Sequence, residues 1–232
     1  MIETADTSPK GLCLVDLRRR VLVLDLRPGA EVEEQVVATR YGLSRTPARE
    51  VFQALAGAGY LQLARNRGAR VSPLGVEALA QIFQMAPVLL ATAARLAAGK
   101  PDTGLTEALE SVVSARDSDW REVSLAEHAL QRRIADQSEN AYLAPAVERM
   151  MVDLTRLIGP LYDSPDIKLR DRLLRAQEKH ADQVAAIIDG KPEPAARAAL
   201  ARWELLRDDI LYSLQPEPLP DTQPGRYPYD AA

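Results

Sequence analysis

Residues 42–71, GLSRTPAREVFQALAGAGYLQLARNRGARV, leave the chain little freedom in how it folds. Ser44 is a good helix N-cap, its hydroxyl placed to accept from an amide two or three residues on. Pro47 falls in the first turn, where a missing N–H costs little. Ala48, Val51, Phe52 and Leu55 then recur on one face, and Gly57 and Gly59 end the helix. Residues 60–64 alternate as a strand, 65–68 turn, and 69–72 return as a second strand. A capped helix followed at once by a two-stranded ribbon is a short list of folds.

The upstream sequence shortens that list further. Residues 12–24 fit a helix through Leu14, Leu17, Val21 and Leu24, and Pro28-Gly29 makes a turn. Residues 34–41 read as a short helix with Val37, Ala38 and Tyr41 inward, stopped by Gly42. The order is helix, helix, turn, helix, two-stranded wing. Charge follows the same division. From Lys10 to Ser72 there are 11 Lys/Arg against 6 Asp/Glu, whereas from Pro73 to Ala232 there are 18 against 25. A basic module joined to an acidic one points to a small unit that meets an anion, nucleic acid being the usual one.

After a short link, residues 72–75, the pattern is helical throughout. Helices are expected at about 75–98, 103–115, 119–138, 141–161, 166–189 and 193–214, the first kinked at Pro87. The expected division is residues 1–72, 73–215, and a Pro-rich disordered tail at 216–232, which holds five prolines. Apolar stretches are broken by Pro, Thr or charge before the roughly 20 residues of a membrane span. The first residues lack a signal-peptide pattern, and the one cysteine, Cys13, leaves no intrachain disulfide. The expectation is a cytoplasmic protein with no membrane partner.

A winged helix–turn–helix lays its second helix in the major groove, where the first turn reaches base edges. That turn carries Arg45, Thr46 and Arg49. The two arginines, four apart, share a face, so both forks can reach the groove. Arg to guanine is the commonest specific contact, worth about 1–3 kcal/mol of discrimination. Ser44 and Thr46 hydroxyls and the free amides at the helix start suit phosphates. The wing tip Asn66-Arg67-Gly68 can follow the backbone or enter the minor groove, with Gly68 allowing a tight turn. A lone arginine is ordinarily a solvated charge; several basic and polar groups on the exposed side of this motif favour DNA contact.

These residues resemble the GntR family of bacterial transcription regulators. The resemblance rests on Pro28-Gly29, Glu34-x-x-Val37-Ala38, Gly42-Leu43-Ser44-Arg45-Thr46-Pro47, Arg49-Glu50, Gly59 and Asn66-Arg67-Gly68. One departure is Leu24, where the family often has Gly. The resemblance implies that Arg45, Thr46, Arg49 and the wing tip contact DNA. The helical remainder resembles the FCD type of effector domain of the FadR-like subfamily, through Arg95-Leu96-Ala97-Ala98, Ser138-x-Asn140, Glu178-x-His180 and Ala195-Ala196-x-x-Ala199. The implied fold is mainly α: a winged helix-turn-helix of three helices plus a two-stranded wing, then an all-α six-helix effector bundle.

FCD relatives bind small carboxylic acids or related metabolites, often beside a divalent metal held by one Asp and three His. Those positions fall here on Glu127, Gln131, His180 and Trp203, and periodicity turns all four inward. Gln is a poor ligand and an indole N–H has no lone pair, so the metal site reads as degenerate and no cofactor is expected. His128 lies about 100° around its helix from Glu127. Trp203 is expected to fill the metal's space. The family's Arg and Glu on the first bundle helix fall on Ala86 and Leu90, which removes an internal partner for a carboxylate. The four pocket positions therefore suggest a less acidic effector, or none.

The resemblance implies a homodimer binding a palindromic double-stranded operator, with a small-molecule effector altering the spacing of its two reading heads. A constitutive DNA-binding regulator with an inert bundle is the alternative. An enzyme using Glu127 and His180 as an acid–base pair is disfavoured, because no nucleophile motif, phosphate loop or metal set accompanies them.

Overall fold

The computed structural model describes residues 6–64, 68–101 and 104–213. The N-terminal head begins with α1, Pro9–Leu22. This helix starts earlier than its apolar periodicity suggests, because Ser8 caps it by accepting from the Gly11 amide and Pro9 takes the first position. Leu24 follows with φ of 60°, a left-handed conformation that costs an L-residue about 1–2 kcal/mol and that glycine adopts freely.

Three short strands follow in part: β1 (Glu31–Glu33), β2 (Leu61–Ala64) and β3 (Gly68–Val71). They form one antiparallel sheet in the order β1-β3-β2, with Val32 opposite Ala69 and Leu63 opposite the same residue. β2 and β3 are the two strands of the wing, and β1 adds a third strand to their sheet. Between β1 and β2 lie α2 (Glu34–Tyr41) and α3 (Arg45–Gly57). Gly42 closes α2 in the left-handed region, and the Leu43 amide returns to the Ala38 carbonyl, a Schellman stop. Leu17, Val21, Val51, Phe52 and Leu55 fill the head's core.

The remainder comprises α4 (Val76–Ala97), α5 (Leu105–Ser114), α6 (Trp120–Gln137), α7 (Leu143–Ile158), a 3₁₀ turn (Gly159–Asp163), α8 (Ile167–Ile188) and α9 (Pro192–Ser213). Asp119 and Asp166 cap α6 and α8 through their carboxylates. Ala86, Leu90, Leu130, Ile134, Leu173 and Leu206 interlock in one core. α4 continues through Pro87. Its stretch Glu77–Ala97 is long and apolar enough by composition to cross a membrane, with mean hydropathy 1.3, more continuous than the sequence breaks suggest. Ala86, Leu90 and Ala94 are buried in the bundle, while Met85, Val88 and Leu96 are exposed.

Head and bundle pack together. Val152 of α7 is fully buried in the head's core. Arg156, also buried, donates to the Ser72 carbonyl at 2.7 Å and pairs with Asp153. Gly59, at φ 84°, passes so close to Arg149 that a Cβ would lie 2.1 Å from its Cδ, and Arg149 donates to the Gly59 carbonyl at 3.2 Å. The 216–232 tail lies outside the described residues.

Candidate nucleic-acid interface and bundle centre

α3 presents its first turn to a groove of about 990 Å³, bounded by the start of α2 and by the wing. Arg45, Thr46 and Arg49 line it together with Gln35, Gln53 and Leu63. All three first-turn residues are exposed, and the apolar stripe Ala48, Val51, Phe52 and Leu55 on the opposite face fixes that outward orientation. Glu50 also borders the groove, but its carboxylate pairs with Lys10 Nζ.

Ser44 takes the N-cap position through its backbone, its carbonyl accepting from the Ala48 amide at 3.2 Å. Its hydroxyl makes no capping bond, contrary to the sequence expectation, and is exposed at the helix start. Gly68 is the first residue of β3 rather than a left-handed turn residue. A Cβ there would stand 3.3 Å from the Val32 carbonyl, so glycine serves the close approach of β1, the strand that the sequence did not reveal. Asn66 and Arg67 lie outside the described residues.

The second cluster lies inside the bundle. Glu127 of α6 accepts from Tyr162 Oη at 2.7 Å and from Arg202 Nη2 of α9 at 2.9 Å. His180 Nε2 of α8 stands 3.5 Å from Glu127 Oε1, at the edge of hydrogen-bond reach. Gln131 Nε2 contacts His180 Nδ1 at 3.2 Å and donates to Gln183 Oε1 at 3.3 Å. Glu127, Gln131, His180 and Arg202 are all buried. Burial works to raise the Glu127 carboxyl, but the charge of Arg202 and the contacts of His180 and Tyr162 outweigh it and hold it at about 2. Burial first, then Arg202, lowers His180, so its ring is neutral.

Trp203 is buried, with Phe83 at a centroid distance of 5.7 Å and a tilt of 56°. The contact to Glu127 is made by its neighbour Arg202. An internal arginine is therefore present, although Ala86 stands where the resemblance places one. A charged residue beside Trp203 on a helix reads as solvated, and only the packing of α9 shows otherwise. A cavity of about 10 Å³, room for one water, lies beside Glu127, Thr155, Tyr162 and Arg202.

Comparison with known proteins gives this geometry a lineage. Residues 15–71 match the model of bacterial regulatory proteins of the gntR family, and residues 81–204 match the FCD domain. A protein of Paenarthrobacter nicotinovorans named "Probable D-xylose utilization operon transcriptional repressor" is 32% identical over 73% of this chain and 74% of its own. The chain belongs to the GntR family. It is an FCD-containing, helix–turn–helix transcription regulator, not an enzyme. An uncharacterized HTH-type regulator of Mycobacterium tuberculosis is 25% identical over 82% of this chain and 75% of its own. The structure of E. coli McbR/YncC superposes with a TM-score of 0.69 at 23% identity, covering 89% of this chain and 97% of that one, and shares the fold.

The divalent metal of FCD domains does not fit the residues found here. Among the described residues no three His, Cys, Asp or Glu side chains converge on one point. The carboxylate that would ligate the ion is bound to a guanidinium, Gln131 turns its amide nitrogen toward His180, and Trp203 offers no lone pair.

A further set of residues joins this GntR head to its FCD bundle. Tyr60, buried between α3 and β2, donates to Glu148 Oε1 of α7 at 2.7 Å. His128 of α6 lies 3.5 Å from Tyr60 Oη and 3.7 Å from Glu148 Oε2, and its Nδ1 meets Thr155 Oγ1 at 3.0 Å. Burial would raise the Glu148 carboxyl, but His128, Tyr60 and Arg132 hold it at about 2. In the sequence His128 had stood out only as lying off the Glu127 face; its partners come from elements 20 to 68 residues away.

Proposed function

We propose that this regulator binds a palindromic operator sequence-specifically as a homodimer, and that its bundle answers to a small-molecule effector. The observation that carries the reading is the exposed pair Arg45 and Arg49, four residues apart on the groove face of α3. Arginine forks at that spacing suit guanine edges, with Ser44, Thr46, Asn66, Arg67 and Gly68 at the flanking backbone. The reading unit is residues 1–72 and the effector unit 73–215, working in the cytoplasm. The exposed stripe Met85, Val88 and Leu96 on α4 supports dimerisation, since an apolar face of this kind needs cover.

Effector response is supported by the polar contacts running from the cavity through Thr155 and His128 to Tyr60 in the head. The Paenarthrobacter relative's name ties that protein to a D-xylose utilization operon. An uncharged sugar is the effector class proposed for this chain. Constitutive binding is the second reading, and the cavity of about 10 Å³ favours it.

Selection of duplexes from a random pool with the full chain, together with light scattering of the complex, tests the function. An enriched inverted repeat bound by two copies supports it. A pool that never converges contradicts it.

A further inference from the structure

We propose that Arg202 stands where FCD relatives carry a divalent metal, so that the cation holding the bundle centre together is part of the chain. The inference deepens the effector reading above. Glu127 is the residue at the metal's carboxylate position, and its two oxygens are taken by Arg202 Nη2 at 2.9 Å and Tyr162 Oη at 2.7 Å. Through that one carboxylate α6, α9 and the 3₁₀ turn are tied, with His180 of α8 at 3.5 Å. A metal does the same work by drawing ligands from several helices to one point.

Three features show that the exchange is complete. Arg202 is buried and its guanidinium is always protonated, so its charge is permanent. A divalent ion brought to Glu127 would stand against that fixed positive charge in a desolvated site. Gln131 Nε2 lies 3.2 Å from His180 Nδ1 and 3.3 Å from Gln183 Oε1, so an amide held by two neighbours stands at the position next to Glu127 on the same face of α6, where an imidazole ligand would be needed.

The charge count sets the consequence. Glu127 contributes one negative charge and Arg202 one positive, and at 2.9 Å the two cancel. A carboxylate effector would bury an uncompensated charge there, which is costly. Arg202 Nε, Gln183 Nε2 and Gln177 Oε1 have no hydrogen-bond partner among the described residues. Of these, Arg202 borders the cavity of about 10 Å³, which has room for one water.

Thermal unfolding of the full chain, stripped with chelator and then given Zn²⁺, Ni²⁺ or Mn²⁺ alone, tests the substitution. The wild type should melt at one temperature in every condition and bind none of the three ions by calorimetry. Arg202→Met, which strands the Glu127 charge, should melt roughly 10 °C lower. Glu127→Gln combined with Arg202→Met should recover most of that loss, because the pair is removed as a unit. Stoichiometric metal binding by the wild type overturns the proposal whether or not the variants fold, as does an Arg202→Met variant that melts like the wild type. No readout involves an operator, so failure here is separate from failure of the DNA-binding reading.

Discussion

Glu127 and His128 are adjacent on α6 and serve different halves of the molecule. Glu127 is held by Arg202 and Tyr162 in the bundle centre, while His128 meets Thr155, Tyr60 and Glu148 at the base of the head. Successive helical residues stand about 100° apart, so one turn of α6 touches both sites. A rotation of α6 that disturbs one contact set must disturb the other. Thr155, which lines the cavity and bonds His128, closes the path between them.

Tyr60→Phe removes the head's hydroxyl from this junction and leaves part-buried Glu148 with one donor fewer. The expected loss is about 1 kcal/mol in urea unfolding, the net worth of one hydrogen bond. If the junction transmits effector binding, the variant's DNA affinity should also become insensitive to the effector that moves the wild type. An unchanged unfolding midpoint would count against the contact.

Leu24→Gly should stabilise the head by about 1 kcal/mol, since Leu24 holds φ of 60° without the freedom of glycine. Leu24 is only half-buried, so little packing is lost. Chemical denaturation of the two proteins decides the sign, and a less stable variant would show that the Leu24 side chain outweighs its strain.

The head's fold was largely legible in the sequence, because each element carries its own local signal: the Ser44 start, the Gly42 stop, and the alternation around Leu61. β1 was not. Glu31-Val32-Glu33 is too short and too charged to announce a strand, and it exists only because β3 lies beside it. The inward direction of Glu127, Gln131 and His180 followed from helical period, yet Arg202 did not. A charged residue gives no sign in the sequence that a carboxylate from another helix waits for it inside. The Ser44 hydroxyl erred the other way, since a good capping residue was present and the structure leaves it free.

Acid should destabilise the protein through buried Glu127 and His180 and part-buried Glu148. Glu127 and Glu148 fall from 4.5 in the unfolded chain to about 2 when folded, so their stabilisation is whole above 4.5 and is lost as pH falls toward 2. His180 acts in the same direction. Its folded value lies below 6.5, so below that pH the unfolded chain takes up a proton that the native centre refuses. Urea midpoints should decline from pH 7 to pH 3, and Glu127→Gln should flatten the decline below pH 5. A midpoint that holds steady from pH 5 to pH 3 would contradict this account.

The most direct test of the central claim is the affinity of the full chain for a selected duplex, compared with Arg49→Ala by fluorescence anisotropy. Removal of one bidentate base contact predicts a loss of about 1–3 kcal/mol, roughly 5- to 150-fold, on the selected duplex. Binding to an unrelated duplex should change far less, and the stability and oligomeric state should be unchanged. Equal affinity of the two proteins for the selected duplex would contradict the docking of α3 in the major groove.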